Sequence, residues 1–369
     1  MKRFHVRRAV FLAALSCCFS VETAFASPPG LVKESRPEIK SAGALAFGPD
    51  QVLFVGDSLG GAIYALEVSP ATPATFEKFA VEDVDQKIAA LLGTTAEEIL
   101  INDLAVQPGS DTVYLSVSRG RGPDALPAIV RIKSSGSIED MPLDDVAHAK
   151  VMLNNAPAVD AKDHRGRSLR QEAVTDLVFS GGKLYIAGLS NEEFASKLRV
   201  VNFPFDSDVA QSSVEIYHGA HGKYETRAPV RTFVPMIIDG QPNIVAAYTC
   251  TPLVKFPVSE LKNGEKLQGT TVAELGNQNR PLDLISYRRD GKDHLLLANS
   301  ARGVMKISTE TIGRETPIVE KIQETAGLPY EKLEDLRGVE QLDKVNDETG
   351  MILSKNDAGQ YRLTSISLP

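Results

Sequence analysis

Cysteine is scarce in this sequence, and its placement excludes an internal disulfide. Only three of the 369 residues are Cys, and Cys17 and Cys18 fall in an N-terminal apolar stretch. Basic residues precede that stretch and Ala24-Phe25-Ala26 follows it, which is the pattern of a cleaved signal peptide over residues 1–26. Arg7 and Arg8 keep the twin-arginine route open as an alternative. Cleavage leaves Cys250 alone, so stability must come from a packed core.

Long apolar runs and an excess of positive charge are also lacking. Beyond the leader no stretch reaches the length of a membrane span, so we expect no such span. Residues 1–26 hold four basic residues and one acidic residue, so cleavage leaves 36 basic and 47 acidic side chains, a formal charge of −11. Such a surface repels phosphate backbones and makes nucleic acid an unsuitable partner. We expect a periplasmic or secreted monomer.

Sequence motifs of common enzyme classes are missing. The chain has no G-x-S-x-G elbow, no P-loop, no dinucleotide fingerprint and no C-x-x-C-H haem site. Cys250 opens a Cys-Thr-Pro sequence, but Val254 stands where a sulfatase-type motif needs Arg. Helical and extended segments do not alternate, which argues against a Rossmann or barrel fold. Catalytic residues are therefore unknown, and whether the protein is an enzyme stays open.

A repeated outline of strand, turn and strand runs through the rest of the chain. It opens on "ALAFGPDQVLFVGDS" and returns five times, beginning at Asn102, Thr175, Val234, Leu282 and Arg337, each time followed by a third apolar strand. Short strands with Gly, Asp and Asn turns in units of this kind are typical of propeller blades. The sequence predicts an all-β, six-bladed β-propeller over residues 43–369, preceded by an N-terminal segment over residues 27–42.

The outline also predicts details of this fold. Equivalent inner-strand positions are Ala44, Leu104, Leu177, Met236, Leu284 and Val339. A short helix is predicted over Asp83–Leu92, and residues 31–39 are predicted to add the closing outer strand to the last blade. A seventh blade with weak strands in residues 143–171, or a two-domain β-sandwich, remains an alternative.

Polar residues at strand ends are predicted to meet at one mouth of the channel. "NDLA", "TDLV" and "LDLI" place Asp103, Asp176 and Asp283 in one slot, and converging carboxylates need a cation between them. Capping of backbone N–H groups is the alternative role for each Asp. The predicted ligand-binding positions are Asp57, Arg119, Asn191, Cys250, Asn299 and Arg337.

The segment "AFGPDQVLFVGDS" resembles the signature of six-bladed propellers of the gluconolactonase, senescence-marker and strictosidine-synthase-like superfamily, with Gln51 where that signature has Gly. The resemblance implies a divalent cation, most readily calcium, at the channel mouth. It implies Asn102 and Asp283 as ligands, and with the slot above the predicted metal set is Asn102, Asp103, Asp176 and Asp283. Ser41-Ala42-Gly43-Ala44 stands where that family has its Glu ligand.

A second cluster, "YHGAHGKYETRAP", contains His218 and His221 in the sequence before the fourth inner strand. Two imidazoles and the Cys250 thiolate suit zinc or copper. Histidines three apart share one side in a helix, whereas the glycines here indicate a loop or strand, so ordinary loop residues are the interpretation we favour.

Three functions follow from these observations. The first is an exported propeller that binds a small ligand or ion at the channel mouth without catalysis. The second is a metal-dependent, lactonase-like hydrolase, and the third is a protein-interaction scaffold. A cation held by the Asn102 and Asp283 set would favour the second.

Overall fold

Short apolar strands form six small antiparallel sheets, arranged as a six-bladed β-propeller. The computed structural model describes residue 1 and residues 27–71, 78–206 and 208–369. The predicted fold class is confirmed. The seven-bladed alternative is wrong, because residues 143–171 supply only one strand, at the edge of another blade. The predicted signal peptide lies outside the described residues.

Blades are numbered here by the order of their inner strands in the chain. Blade one contains β1 (Leu45–Phe47), β2 (Val52–Asp57), β3 (Ala62–Glu67) and β9 (His148–Met152). Blade two contains β5 (Ile99–Val106), β6 (Val113–Arg119), β7 (Leu126–Ile132) and β8 (Ile138–Asp140). Blade three contains β10 (Asp176–Ser180), β11 (Lys183–Leu189), β12 (Ser196–Asn202), β13 (Ala210–His218) and β14 (Lys223–Glu225), with β18 (Lys266–Gln268) paired to β13.

The remaining blades follow the same plan. Blade four contains β15 (Thr232–Ile238), β16 (Gln241–Ala247), β17 (Pro252–Pro257), β19 (Thr270–Leu275) and β23 (Thr325–Gly327). Blade five contains β20 (Pro281–Arg289), β21 (Lys292–Asn299), β22 (Gly303–Ser308) and β24 (Tyr330–Leu333). Blade six contains β25 (Val339–Lys344), β26 (Thr349–Lys355), β27 (Tyr361–Ser367) and β4 (Ala80–Val81).

The predicted inner-strand residues lie as expected. Five of them are on the innermost strands of blades two to six: Leu104, Leu177, Met236, Leu284 and Val339. Ala44 lies immediately before β1, the innermost strand of blade one. The predicted helix is also present, as α1 (Val84–Leu92), in the connection between blades one and two. Among the described residues, no helix has the length and hydropathy needed to cross a membrane.

The order of blades around the ring differs from their order in the chain. The inner strand of blade one contacts those of blades two and three, and the inner strand of blade two contacts that of blade six. The ring therefore runs one, two, six, five, four, three. Blades one and two are exchanged relative to a ring built in chain order.

Each interface between neighbouring blades holds its own apolar core. Blades two and six bury Leu115 and Leu353 together, and α1 adds Val84 and Ile88 to the same core. Separate cores join the other neighbouring pairs in the ring order above. A twisted sheet has two apolar faces, and stacking on both sides buries them both.

The last blade is closed by a different segment from the one predicted. β4, in the connection after blade one, pairs with β27 and forms the outer edge of blade six. Phe79, just before β4, is 1% exposed in the core between blades two and six.

The predicted closing segment, residues 31–39, lies on blade one instead. Leu31 packs in the core between blades one and three, and Val32 pairs with His148 of β9. The Tyr64 hydroxyl donates to the Glu38 carbonyl at 2.8 Å. These contacts hold the segment on blade one, while Phe79 provides the apolar anchor at blade six.

Candidate functional site

Four inner strands each place an aspartate in the central channel, a cavity of about 390 Å³. The four are Asp103, Asp176, Asp283 and Asp343. In each, Oδ1 accepts the backbone N–H of the next residue, at 2.8, 2.7, 2.8 and 2.6 Å respectively. Oδ2 accepts a backbone N–H from the neighbouring inner strand, donated in the same order by Leu45, Phe233, Leu342 and Val106 at 2.6, 2.8, 2.7 and 2.6 Å. Each aspartate thus joins two blades, always in the same direction around the ring.

Burial in the channel raises the pKa of all four carboxyl groups. The pKa of Asp176 rises to about 8, through burial first and the charge of Asp283 second. Burial raises the pKa of Asp343 to about 6. Asp103 and Asp283 have a pKa well above the ordinary value, through burial and then the charge of another channel aspartate. With a pKa of about 8, the Asp176 carboxyl group is therefore mostly protonated at neutral pH.

Asn102 lies beside this ring but faces the junction of blades one and two. Its Nδ2 donates to the Ala42 carbonyl at 2.8 Å and to Ser118 Oγ at 2.9 Å. Asp103, Asp176 and Asp283 each cap backbone N–H groups, which is the alternative role that the sequence analysis left open. A calcium ion on Asn102 and these three aspartates stays a prediction.

Asp57 has a structural role, because its carboxylate binds backbone N–H groups. It is 0% exposed, and its carboxylate accepts backbone N–H groups from Lys40, Ser41 and Gly60 at 2.9, 2.8 and 2.8 Å. These bonds hold the N-terminal segment against the turn between β2 and β3. Two other predicted positions are exposed and lie apart from these sites: Arg119 at the end of β6, and Asn191 in the loop after β11.

Two predicted residues, Asn299 and Arg337, meet in one cleft between blades five and six. The cleft has a volume of about 570 Å³. Its charged lining comprises Arg302, Lys332, Arg337 and Lys355 against Glu334 and Glu340. Lys332 is paired with Glu334 at 3.0 Å, and Glu340 accepts the Tyr361 hydroxyl at 2.7 Å. Glu340 keeps its negative charge in that bond, so four cationic and two anionic side chains leave the cleft with an excess of positive charge.

Cys250 lies with two histidines in a second location. His218, His221 and Cys250, called here the His–Cys cluster, each offer one ligand atom, and these atoms all lie within 4.8 Å of one another. The two imidazole centroids are 3.9 Å apart. The structure thus brings together the three residues that the sequence analysis weighed as a zinc or copper site, although it favoured ordinary loop roles for His218 and His221.

Sequence reasoning missed several residues of these sites. Asp343 lies four residues beyond Val339, outside the slot that the repeat defined for the other aspartates. Glu225 contacts both histidines of the cluster, and its position four residues after His221 was the available signal. No sequence pattern marks Arg302, Lys332 and Lys355, because they reach the cleft from three separate segments of the chain.

Comparison with known proteins gives no family for this chain. No family model matches it, and no curated protein matches it. A chain from a structure of the mitotic checkpoint complex is 8% identical with a TM-score of 0.41, and the match covers 96% of this chain and 99% of that one. The extracellular region of plexin A4 is 10% identical with a TM-score of 0.41, and the match covers 92% of this chain and 40% of that one. The assignment of the fold therefore rests on the six sheets themselves.

Proposed function

We propose that this propeller is a binding protein that takes a small acidic ligand into the cleft between blades five and six. The observation that carries the proposal is the cleft's excess of positive charge, in which Arg302, Arg337 and Lys355 outnumber the unpaired Glu340, in a chain that is acidic overall. Its volume falls within the range of small-molecule sites. Arg side chains bind carboxylates through two parallel hydrogen bonds, which favours an anionic ligand.

Asn299 indicates that this ligand also carries a hydrogen-bond donor. It is 3% exposed, and its Oδ1 accepts no hydrogen bond from the described residues. A buried acceptor without a partner costs free energy that a ligand donor recovers. The proposed ligand therefore carries a hydroxyl group as well as an acid group, as sugar acids do.

Export is part of the same proposal. The pattern of residues 1–26 supports a cleaved leader and a periplasmic or secreted location. The gluconolactonase-like resemblance and its divalent cation stay predictions. The aspartates on which that chemistry would depend already accept two backbone N–H groups each.

The test compares two sugars that differ in one group, galacturonate and neutral galactose, by calorimetry and thermal unfolding. We expect galacturonate to bind and raise the Tm, and galactose to have little effect. Arg337→Ala with Lys355→Ala should weaken galacturonate binding at least about tenfold, because charge-assisted hydrogen bonds are lost.

Arg362→Ala is the matched control, because Arg362 pairs with Glu82 away from the cleft. Equal binding of both sugars, or unchanged galacturonate binding in the double variant, would contradict the proposal. Recovery of galacturonate unchanged after incubation separates binding from catalysis.

A further inference from the structure

The His–Cys cluster lies where the outer hairpin of blade three meets a turn of blade four. We propose that it is a binding site for a thiophilic metal ion, Zn²⁺ or copper, held by one nitrogen of His218, one nitrogen of His221 and Sγ of Cys250. The three ligand atoms lie within 4.8 Å of one another. Tetrahedral zinc with ordinary bond lengths places such atoms about 3.3 to 3.8 Å apart. The distances between the ligand atoms therefore need to shorten by about 1 Å to complete the site.

The backbone of the hairpin explains why the two rings lie side by side. The His218 carbonyl accepts N–H groups from His221 at 3.1 Å and from Gly222 at 2.8 Å. These bonds form one helix-like turn, so residues three apart fall on the same side. Gly222 has φ +67°, which only glycine adopts readily, and it returns the chain to β14. The glycines that had indicated an ordinary loop thus build the turn.

One carboxylate orients both imidazoles. Glu225 Oε2 lies 2.9 Å from His218 Nδ1, and Glu225 Oε1 lies 2.7 Å from His221 Nδ1. An Nδ1–H group that donates to a carboxylate leaves Nε2 unprotonated in the neutral ring, ready to bind a metal. A single Glu therefore sets the same tautomer in both histidines.

His218 supplies an independent sign of a ligand. The residue is 2% exposed, and Nε2 is buried with no hydrogen-bond partner among the described residues. A buried ring nitrogen without a partner is costly, and a bound metal would satisfy it.

The other two ligands face a more open side. The His221 side chain is 46% exposed and Cys250 is partly exposed, which gives an ion a path to the site. Three protein ligands leave the fourth tetrahedral position for water or another ligand. On binding, the Cys250 thiol releases its proton to solvent, and the thiolate and Glu225 together balance a divalent charge.

Metal titration of the full chain tests the site, with Cys17→Ser and Cys18→Ser so that Cys250 is the one remaining thiol. After removal of metal by a chelator, we expect one Co²⁺ per chain to give the visible bands of a tetrahedral thiolate complex. Binding of Co²⁺ to the metal-free chain should release the thiol proton, and Zn²⁺ should then displace Co²⁺ without further proton release. Competition with a Cu⁺ chelator distinguishes copper from zinc.

Variants assign the ligands. Cys250→Ser and His221→Ala should each lower affinity at least about 100-fold, and Glu225→Gln about 10- to 100-fold with one ion still bound. His164→Ala, an exposed loop histidine, is the control and should bind as the parent does. Circular dichroism verifies that each variant folds. His218→Ala removes a buried side chain and is expected to be the least stable variant. The test does not depend on it, because His221 and Cys250 are partly exposed and can be replaced with less effect on folding. Absence of binding at one ion per chain, or an affinity in Cys250→Ser and His221→Ala equal to that of the parent protein, would overturn the proposal.

Discussion

The channel aspartates show how one residue type builds this ring. Each carboxyl group receives a hydrogen bond from its own strand and another from the next blade, so the innermost layer is held by side chain to backbone bonds. A buried, charged carboxylate would be unfavourable there, and a raised pKa lets these groups bind protons instead.

Stability should therefore depend on pH in an unusual direction at Asp176. Its pKa is about 8 in the folded protein against an ordinary value of 3.8. Between these values the folded state holds the proton and the unfolded state does not. This contribution is fully present below about pH 4 and is lost as pH rises towards 8.

Asp176→Asn tests this, because Asn keeps an acceptor oxygen but cannot titrate. We expect the Tm of the variant to rise relative to that of the natural protein as pH increases from about 5 to about 8. Thermal unfolding across that range measures the difference. A Tm difference that does not change with pH would show that Asp176 titrates alike in both states.

The sequence could predict some of these residues and not others. Asp103, Asp176 and Asp283 share a slot in the repeat, so their convergence was predictable from spacing alone. Their partners were not, because Leu45 and Phe233 donate from other blades. His218 and Cys250 meet across blades three and four, which no local pattern records.

At the level of elements, β4 is a two-residue strand that lies after β3 of blade one in the chain and pairs with β27 of blade six. The Phe79 carbonyl beside it accepts the Ser365 N–H at 3.0 Å, and the Phe79 N–H donates to Ser365 Oγ at 2.9 Å. The inner strands were predictable because their apolar repeat is strong. β4 was not, because two residues carry no periodicity.

Phe79→Ala should weaken this closure strongly. Removal of a buried Phe side chain costs about 3 to 5 kcal/mol, which corresponds to a fall in Tm of at least about 5 °C. Val319→Ala is the control, since Val319 is 56% exposed and its truncation should change the free energy of unfolding by less than about 0.5 kcal/mol. Similar Tm values for the two variants would show that the ring is not held together at β4.

For the whole molecule, the exchanged order of blades one and two determines which distant parts of the chain depend on each other. Blade two packs against blade six, so Leu353 shares a core with Leu115 although more than 200 residues separate them. Leu297 occupies the corresponding core between blades four and five.

Hydrogen exchange on Leu353→Ala should show this dependence. The cavity left by the substitution should increase exchange in β5 and β6 of blade two more than in β10 and β11 of blade three. In Leu297→Ala, which removes an equally buried side chain, blade four should respond and blade two should not. Uniform exchange in both variants would mean that the ring opens as one unit.

The pairing of β4 with β27 also fixes when the ring can close during synthesis. A ribosome makes β4 long before β27, so the sixth blade cannot be completed until β27 is made, and blade two waits with it for a neighbour. Until then the nascent chain exposes apolar strands that have no partner. If the predicted leader exports the chain, this delay favours passage in an unfolded state, with closure on the far side of the membrane.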